Sequence, residues 1–245
     1  MARIVERGRL IAGIDQTAYL FGSRNAITGD PEGFDIDIVR DLAFALFGDR
    51  DRVELRRVDI ADRVRVVESG LVDLVVSTLT ITCRRLQDVE FSTVYLEAGQ
   101  RVLVNRDAPV DNLDDLSEKR VCAARGSTSL NAIATAPSRP IPVGVANETD
   151  CLVLLQLGEI DAISTDDTLL AGFAVQDPRT VLVGPRFTEE PYGVAVNRAS
   201  PDLVRFVNAV LERRAADGTW QESYQRWLGS ALGPPPAPPA ARYRD

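Results

Sequence analysis

The sequence of 245 residues contains no histidine. This absence excludes histidine general bases, Ser-His-Asp and Cys-His catalysis, and every metal site that uses imidazole. The three cysteines, Cys83, Cys122 and Cys151, lie too far apart for a C-x-x-C motif. No stretch approaches the roughly 20 apolar residues of a membrane-spanning helix. The composition, 45 % hydrophobic and 26 % charged, is typical of a globular protein with a substantial core.

Acidic residues outnumber basic ones, 36 Asp and Glu against 28 Lys and Arg, which gives a formal net charge of −8. This balance argues against a protein that binds phosphate backbones or anionic membrane surfaces, so we expect no nucleic-acid partner. The segment Arg125-Gly-Ser-Thr-Ser129 superficially resembles a phosphate loop but lacks the G-x-x-x-x-G-K-[ST] spacing. No other motif points to a metal or a cofactor, and we expect neither.

The two ends of the chain differ in character. Residues 1–10 are charged and lack the apolar stretch of a signal peptide. Either the protein is cytoplasmic or the sequence begins after an export signal has been removed. Residues 233–245 contain five of the 14 prolines and predict an extended, disordered tail. A ragged terminus without a role is the alternative.

The cysteines leave two interpretations open. Cys122 lies in an apolar, strand-like segment and Cys151 begins an amphipathic one, so both can reach the same core. We hypothesise a Cys122–Cys151 disulfide with Cys83 unpaired. The alternative is free thiols, which an odd number of cysteines favours in a cytosolic protein.

Short apolar segments alternate with amphipathic ones, the pattern of an α/β fold. One unit, Gly70-Leu-Val-Asp73 followed by a strand that ends in polar residues, recurs as Gly158-Glu-Ile-Asp161. Both copies read as a helix end, a glycine, a buried strand and polar groups at the strand's carboxyl end, where ligands bind in open α/β sheets. The repeat predicts two similar lobes facing each other across a cleft, and chance recurrence of common α/β patterns is the alternative.

The densest polar cluster follows the first copy of this unit. Thr78 and Thr80 point the same way from an extended segment, and Arg85 comes one helical turn after Thr82. An arginine with hydroxyls and free helix N–H groups is suited to a small carboxylate. The alternative is a capped surface helix with solvated arginines.

Three further loops supply complementary groups. Ser127–Ser129 offer helix caps and N–H donors, and Asp166 either accepts an ammonium group or caps the next helix. Asp15 and Tyr19 follow the first strand, with Arg24 downstream. The loops together suit a zwitterion but provide neither a nucleophile with a base nor an evident acid/base pair of carboxylates. We therefore expect a binding protein and not an enzyme.

The order of these segments resembles the polar amino-acid solute-binding proteins of ABC importers, which have a two-lobed periplasmic-binding-protein type 2 fold. The resemblance covers about residues 8–230, through Gly33–Asp37, Gly70–Asp73, Thr80–Arg85 with Glu90–Ser92, Gly126–Ser129, Asp161–Asp167 and Tyr192–Val196. It implies a first lobe of residues 1–102 plus 193–232 and a second lobe of 103–192. Each lobe is then a sheet flanked by helices, and a two-strand hinge lets the lobes close on the ligand.

The resemblance also implies roles for individual residues, carried over by position. Arg85 would bind the α-carboxylate with help from Thr80, and Asp166 would bind the α-ammonium. Arg24, with Arg125 second, is the candidate for a side-chain carboxylate. The full set of ligand residues that it implies is Arg85, Thr80, Thr78, Asp166, Arg24, Arg125, Thr128, Ser127, Asp15 and Tyr19.

Two departures from the family pattern bear on the ligand. Ile60 stands where an aromatic residue is frequent, and Ala18 stands where many relatives carry a stacking aromatic, with Tyr19 as a substitute. A site with few aromatic side chains is better suited to a polar ligand than to a large one. The expected ligands are L-glutamate and L-aspartate, or their amides.

The partners implied by the resemblance are the transmembrane permease subunits of an ABC importer, with the protein itself a monomer. The pair Cys122 and Cys151 resembles a cysteine pair of actinobacterial glutamate-binding relatives, which supports the disulfide and an oxidising, extracytoplasmic location. Such proteins are usually lipid-anchored through an N-terminal cysteine. The resemblance therefore also implies a lipid anchor, attached through an N-terminal segment that this sequence does not include.

Three alternatives to transport remain open from the sequence. One is an amino-acid sensor that signals to a membrane partner through the same cleft. Another is a dehydratase of this fold acting on small cyclic acids, with its general acid among Asp15, Asp59 and Asp166. The last is an α/β domain without a ligand.

Overall fold

The computed structural model describes residues 1–243, which form two five-stranded sheets with helices packed on them. Within this range the strands are β1 Leu10–Ile14, β2 Thr17–Ala18, β3 Gly22–Arg24, β4 Pro31–Glu32, β5 Val53–Arg57, β6 Leu74–Val75, β7 Val89–Phe91, β8 Leu96–Ala98, β9 Gln100–Asn105, β10 Arg120–Ala124, β11 Ile141–Val145, β12 Ala162–Asp166, β13 Thr180–Val183, β14 Glu190–Tyr192 and β15 Ala195–Asn197. The α-helices in the same range are α1 Ala2–Arg7, α2 Phe34–Phe47, α3 Arg63–Glu68, α4 Thr128–Thr135, α5 Glu148–Gln156, α6 Asp167–Gln176, α7 Pro201–Ala216, α8 Thr219–Trp227 and α9 Gly229–Leu232.

The two sheets have the same arrangement of strands. The first has the order β5-β1-β6-β15-β7 and the second the order β11-β10-β12-β9-β13. In the first, β1 pairs in parallel with β5 and β6, and in the second β10 pairs in parallel with β11 and β12. The remaining pairs of each sheet are antiparallel. The predicted α/β class is therefore confirmed, and we call the parts built on these sheets the first and second lobes.

The chain passes between the sheets through a pair of short strands. It leaves the first sheet after β7 through β8, and it returns from β13 through β14 to β15. β8 and β14 form their own antiparallel ladder, with Ala98 opposite Glu190 and Leu96 opposite Tyr192. β9 begins at Gln100 and already belongs to the second sheet. The residue limits given above for the lobes stay a prediction.

The repeated sequence unit has the same structure in both lobes. Gly70 and Gly158 both have a φ of 71°, which glycine adopts without steric cost. Asp73 then accepts a hydrogen bond from the Ile11 N–H at 2.8 Å, and Asp161 accepts one from the Arg120 N–H at 2.7 Å. Each aspartate thus joins its own strand to the neighbouring parallel strand. The repeat reflects a shared structural role.

The helices pack through apolar stripes that the sequence spacing predicts. In α2 the residues Ile38, Val39 and Leu42 are fully buried, and the helix ends at Gly48, which has a φ of 70°. These side chains join one large core with those of α7 and α8. Among residues 1–243, no helix is long and apolar enough to cross a membrane.

The proline-rich tail runs over the surface near the crossing strands. Residues 233–243 contain no helix or strand, and Pro236 and Pro239 line a surface pocket together with Glu97. The Arg242 N–H donates to Thr93 Oγ1 at 2.9 Å. Disorder of the tail stays a prediction, and residues 244–245 lie outside the described range.

The hypothesised Cys122–Cys151 disulfide is present, and the exposed Cys83 has a free thiol. Cys122 lies in β10 and Cys151 in α5, both fully buried in the core of the second lobe, with their Cα atoms 5.7 Å apart. The bond therefore fastens a helix to the middle of the sheet that it covers.

We expect reduction of this bond to lower the melting temperature, because a bridge across 29 residues contributes roughly 3–4 kcal/mol to the free energy of unfolding on the chain-entropy model. A thiol titration in denaturant should find one free thiol before reduction and three afterwards. Cys83→Ser is the matched control and should remove the single thiol without changing the melting temperature. Three thiols before reduction would contradict the disulfide.

Candidate functional site

A small polar cavity lies where the two lobes meet. Its volume is about 20 Å³, the space of about one water molecule. It is lined by Asp15, Ala18, Ile60, Arg63, Thr78, Thr80, Ser127, Thr128, Ser129, Glu148, Thr165, Asp166 and Leu169. Most of these residues are polar and most are buried, so the cavity concentrates polar chemistry at the carboxyl ends of the strands.

The structure brings together part of the residue set expected from the sequence. Six of the ten line the cavity, namely Asp15, Thr78, Thr80, Ser127, Thr128 and Asp166. Arg85 is not among the lining residues but donates to the carbonyl of one of them, Thr80, and to that of Gly126 in the second lobe. Tyr19, Arg24 and Arg125 are exposed and are not among the lining residues. Arg24 instead donates to Gln16 Oε1 at 2.9 Å and to the Gly29 carbonyl at 2.6 Å.

Arg85 has hydrogen bonds to both lobes. Its Nη1 group donates to the Thr80 carbonyl at 2.7 Å, and its Nη2 group donates to the Gly126 carbonyl at 3.1 Å. Burial, followed by repulsion from Arg63, lowers the pKa of Arg85 to about 9, so the guanidinium stays protonated at neutral pH. Both bonds go to neutral carbonyls. In addition, no carboxylate among residues 1–243 lies within 4.0 Å of the Arg85 guanidinium.

Asp166 is the acidic group that the second lobe provides. It is 4 % exposed, its Oδ2 atom accepts a hydrogen bond from the Tyr192 hydroxyl at 2.5 Å, and its Oδ1 atom has no partner among the described residues. Burial, with the nearby Glu190 carboxylate, raises the pKa of Asp166 to about 8. A buried carboxylate oxygen without a donor is suited to receive an ammonium group.

The backbone at Thr78 is held in an unusual conformation. Its φ of 39° lies in the left-handed region, which is uncommon for a residue other than glycine. The buried carboxylate of Asp35, at the start of α2, accepts the Thr78 N–H at 2.8 Å. Asp35 therefore positions the loop that carries Thr78 and Thr80.

Arg63 belongs to the cavity, although the sequence analysis did not identify it. It is 5 % exposed, and it donates to the Ile60 carbonyl at 3.0 Å and to the Ser77 carbonyl at 2.7 Å. Burial lowers the pKa of Arg63, and the facing carboxylates of Asp15 and Glu148 oppose that shift. No carboxylate of residues 1–243 lies within 4.0 Å of its guanidinium.

Glu148, the first residue of α5, is the second charged cavity residue that the sequence did not predict. It is 5 % exposed, its Oε1 atom accepts a 3.4 Å hydrogen bond from Thr165 Oγ1, and its Oε2 atom has no partner within hydrogen-bonding geometry among the described residues. Burial raises the pKa of Glu148 to about 7. The nearby Ala124 backbone N–H lowers the pKa of this carboxyl, although burial outweighs it.

Helical spacing contains a signal for both missed residues. Arg63 stands four positions before the buried Val67 in α3, so it occupies the buried face of that helix. Glu148 continues the buried stripe of Cys151, Leu152 and Leu155 in α5 in the same way. A charged residue inside an apolar helical stripe indicates a buried charge.

Direct contacts close the lobes over the cavity. A Cβ atom built on Gly126 would lie 2.6 Å from the Ala61 Cα atom, so only glycine allows this approach. Beside Glu148, the Thr149 hydroxyl donates to the Thr17 carbonyl at 3.0 Å. The cavity is therefore closed on both sides by contacts between the lobes.

Comparison with known proteins identifies the family. The family of bacterial extracellular solute-binding proteins, family 3, matches residues 10–230. The chain belongs to this family. This solute-binding protein is 33 % identical over 229 residues to the ABC transporter glutamine-binding protein GlnH of Bacillus subtilis, an alignment covering 93 % of this chain and 84 % of that protein. It is 30 % identical over 245 residues to the glutamate-binding protein GluB of Corynebacterium efficiens, covering 94 % and 80 %.

The fold of this solute-binding protein is that of solved relatives. The structure of the solute receptor for L-cysteine of Neisseria gonorrhoeae matches it with a TM-score of 0.90 at 27 % identity, covering 95 % of this chain and 94 % of the other. The predicted two-lobed fold is confirmed by this match. The relatives are binding proteins, so the prediction that the chain is not an enzyme is also confirmed.

The buried carboxyl groups predict an unusual dependence of stability on pH. Burial raises the pKa of Asp35 and of Glu148 to about 7, and that of Asp166 to about 8. These groups titrate near pH 4 in the unfolded chain. Between about pH 4 and pH 8 the folded state therefore binds more protons than the unfolded state. The free energy of unfolding then falls as the pH rises through this window. We expect the ligand-free solute-binding protein to melt several degrees higher at pH 6 than at pH 8, measured by differential scanning fluorimetry.

Asp166→Asn should flatten this slope, because it removes one of the three titrating groups. Asp107→Asn, at an exposed position, is the matched control and should keep the wild-type slope. A melting temperature that is constant or rises between pH 6 and pH 8 would contradict the assignment.

Proposed function

We propose that this protein binds a polar L-amino acid, one of glutamate, aspartate or their amides, between its lobes and delivers it to an ABC importer. The observation that carries the proposal is the pair of an acidic and a basic side chain at the cleft, neither of which has an ion-pair partner in the described part of the chain. Asp166 of the second lobe has an oxygen without a partner, and Arg85 of the first lobe has no acidic partner among residues 1–243. The α-ammonium and α-carboxylate of one amino acid satisfy both.

The carboxylate end of the zwitterion has further partners in the cleft. Thr80 lines the cavity and its carbonyl accepts from Arg85, and the first turn of α4 begins at Thr128 after the Ser127 cap. Free N–H groups at a helix N-terminus stabilise a carboxylate. The Thr128 hydroxyl itself donates to Glu190 at 2.8 Å, so its backbone N–H is the group available to a ligand.

Arg63 is the best-placed cation for the ligand side chain. It lines the cavity, whereas Arg24 and Arg125 are exposed and lie outside the lining set. We therefore assign to Arg63 the binding of the ligand side chain. From the sequence alone, Arg24 is the first candidate for this role and Arg125 is the second. An oxygen of a side-chain carboxylate or carboxamide would accept a hydrogen bond from its guanidinium.

Binding requires the lobes to separate, since a cavity of about 20 Å³ is too small for the nine or ten non-hydrogen atoms of such an amino acid. The β8–β14 ladder is the natural hinge, because it is the connection through which the chain passes between the sheets. We propose opening at this ladder, ligand entry and closure.

The names of relatives support transport as the purpose of binding. One is the ABC transporter glutamine-binding protein of Bacillus subtilis and another is a glutamate-binding protein. By analogy we propose a monomer that is located outside the cytoplasm, anchored by lipid and partnered by permease subunits. Co-purification of permease subunits with the tagged protein from membranes tests delivery, and recovery of a signalling protein without a permease would contradict it.

A thermal-shift screen of the twenty L-amino acids tests the ligand class. A ligand present at one hundred times its Kd adds about 2.7 kcal/mol to the free energy of unfolding, which raises the melting temperature of a chain of this size by roughly 5–10 °C. We expect a shift confined to glutamate, aspartate, glutamine or asparagine. An unchanged melting temperature with all twenty amino acids would contradict the proposal.

Arg85→Ala should weaken the binding of that ligand at least a hundredfold in Kd, because the α-carboxylate would be buried without its charged partner, at a cost of about 3–5 kcal/mol. Arg84→Ala is the matched control, since Arg84 is the exposed neighbour, and should bind within threefold of wild type. Isothermal titration calorimetry measures both. Retention of wild-type affinity by a folded Arg85→Ala variant would refute the assignment.

A further inference from the structure

Glu148 is a buried acid whose carboxylate is poorly satisfied by the protein. It lines the cavity and is 5 % exposed, and its Oε2 atom has no hydrogen-bond donor among residues 1–243. Its Oε1 atom accepts one long bond, 3.4 Å from Thr165 Oγ1. Leaving such an oxygen buried without a donor is costly, so a donor from the ligand would be strongly favoured.

Glu148 reaches this position through closure of the lobes. The neighbouring Thr149 donates to the Thr17 carbonyl of the first lobe at 3.0 Å, and Asn147 accepts from Arg57 at 3.3 Å. These bonds hold the first turn of α5 against the first lobe. The carboxylate of Glu148 therefore faces the part of the cleft that contains Arg63 and Asp15.

The charges in this part of the cleft distinguish between ligand side chains. Arg63 contributes one positive charge, and Asp15 and Glu148 contribute two negative ones when ionised. A ligand's side-chain carboxylate is attracted by Arg63 but adds a third negative charge to the cleft. A side-chain carboxamide interacts favourably with both residues, because its oxygen accepts a hydrogen bond from Arg63 while its NH₂ group donates one to Glu148. A cationic side chain is opposed by Arg63.

We propose that Glu148 determines the specificity of this site by accepting a hydrogen bond from a side-chain carboxamide, so that the protein prefers glutamine or asparagine to the corresponding acid. The inference rests on the proposed function, since it assumes that an amino acid occupies the cleft. It adds to that function the class of side chain and the residue that selects it.

The preference depends on the ionisation of Glu148. Burial raises the pKa of this carboxyl to about 7. The Ala124 backbone N–H and Arg63 oppose the shift, Asp15 adds to it, and Asp166 is the nearby acid of its own lobe. A protonated Glu148 becomes a donor that tolerates a ligand carboxylate. The affinity for the amide divided by the affinity for the corresponding acid should therefore decrease as the pH falls. Titration of Asp166 cancels in this ratio, because both ligands carry the same ammonium group.

Calorimetric titration of glutamine, glutamate, asparagine and aspartate tests the inference in three proteins at pH 8. In the wild type, the tighter-binding amide should exceed its acid at least tenfold in affinity. Glu148→Gln should reduce this ratio at least tenfold, because its own amide can donate to a carboxylate. Glu159→Gln, at an exposed position near the other end of α5, removes the same charge and should keep the wild-type ratio.

Circular dichroism and the melting temperature verify that Glu148→Gln is folded. If it does not fold, the wild-type pH profile decides, and the amide-to-acid ratio should fall at least fivefold between pH 8 and pH 5.5. A folded Glu148→Gln variant with the wild-type ratio, a pH-independent ratio, or a wild type that prefers the acid at pH 8 overturns the role of Glu148 alone. Absence of binding by all four ligands to both wild type and Glu159→Gln overturns the proposed function as well.

Discussion

The close contact between Gly126 and Ala61 sets how far the two lobes approach, and the chemistry of the cleft depends on it. Gly126 has a φ of 78°, and a Cβ atom at this position would lie 2.6 Å from the Ala61 Cα atom. The same glycine presents its carbonyl to Arg85 at 3.1 Å. A side chain here would hold the lobes apart and break that bond. With glycine, the polar ends of both sheets meet around a cavity of about 20 Å³.

Closure buries ionisable groups that the protein leaves largely unpaired. Elsewhere a buried carboxylate has a charged partner, as Asp177 does with Arg179 at 2.9 Å. In the cleft, Asp166 and Glu148 each keep an oxygen without a partner among residues 1–243, and Arg63 donates to carbonyls there. The proposed zwitterionic ligand would supply the missing partners from between the lobes, which must lie farther apart to hold it because the cavity of about 20 Å³ is too small. Such a ligand would favour the state in which both lobes contact it.

The sequence predicts the fold and several residues that the structure brings to the cavity, such as Thr80 and Asp166, but it misses Arg63 and Glu148. Thr80 and Asp166 come soon after predicted strands, and polar groups at the carboxyl ends of parallel strands converge. Arg63 and Glu148 lie in helices, where a charged residue resembles a solvated one until its spacing from buried neighbours is considered. Arg24 follows Asp15 closely in sequence, but the hairpin of β2 and β3 directs its guanidinium to Gln16 and Gly29. Strands of two or three residues, such as β8 and β14, have no periodicity to recognise.

The number of protons released on binding tests most directly whether the ligand donates hydrogen bonds to the buried carboxylates. Isothermal titration calorimetry of the ligand identified by the thermal-shift screen, at pH 7 in two buffers with different ionisation enthalpies, gives the number of protons exchanged per binding event. Because burial raises the pKa of Asp166 to about 8, this carboxyl is largely protonated without ligand and must ionise to receive the ammonium group. We expect a net release of protons that is smaller in Asp166→Asn, where Glu148, whose pKa burial raises to about 7, is the remaining source. A binding enthalpy that is the same in both buffers, or a net uptake of protons, would contradict the role of the buried carboxylates in ligand binding.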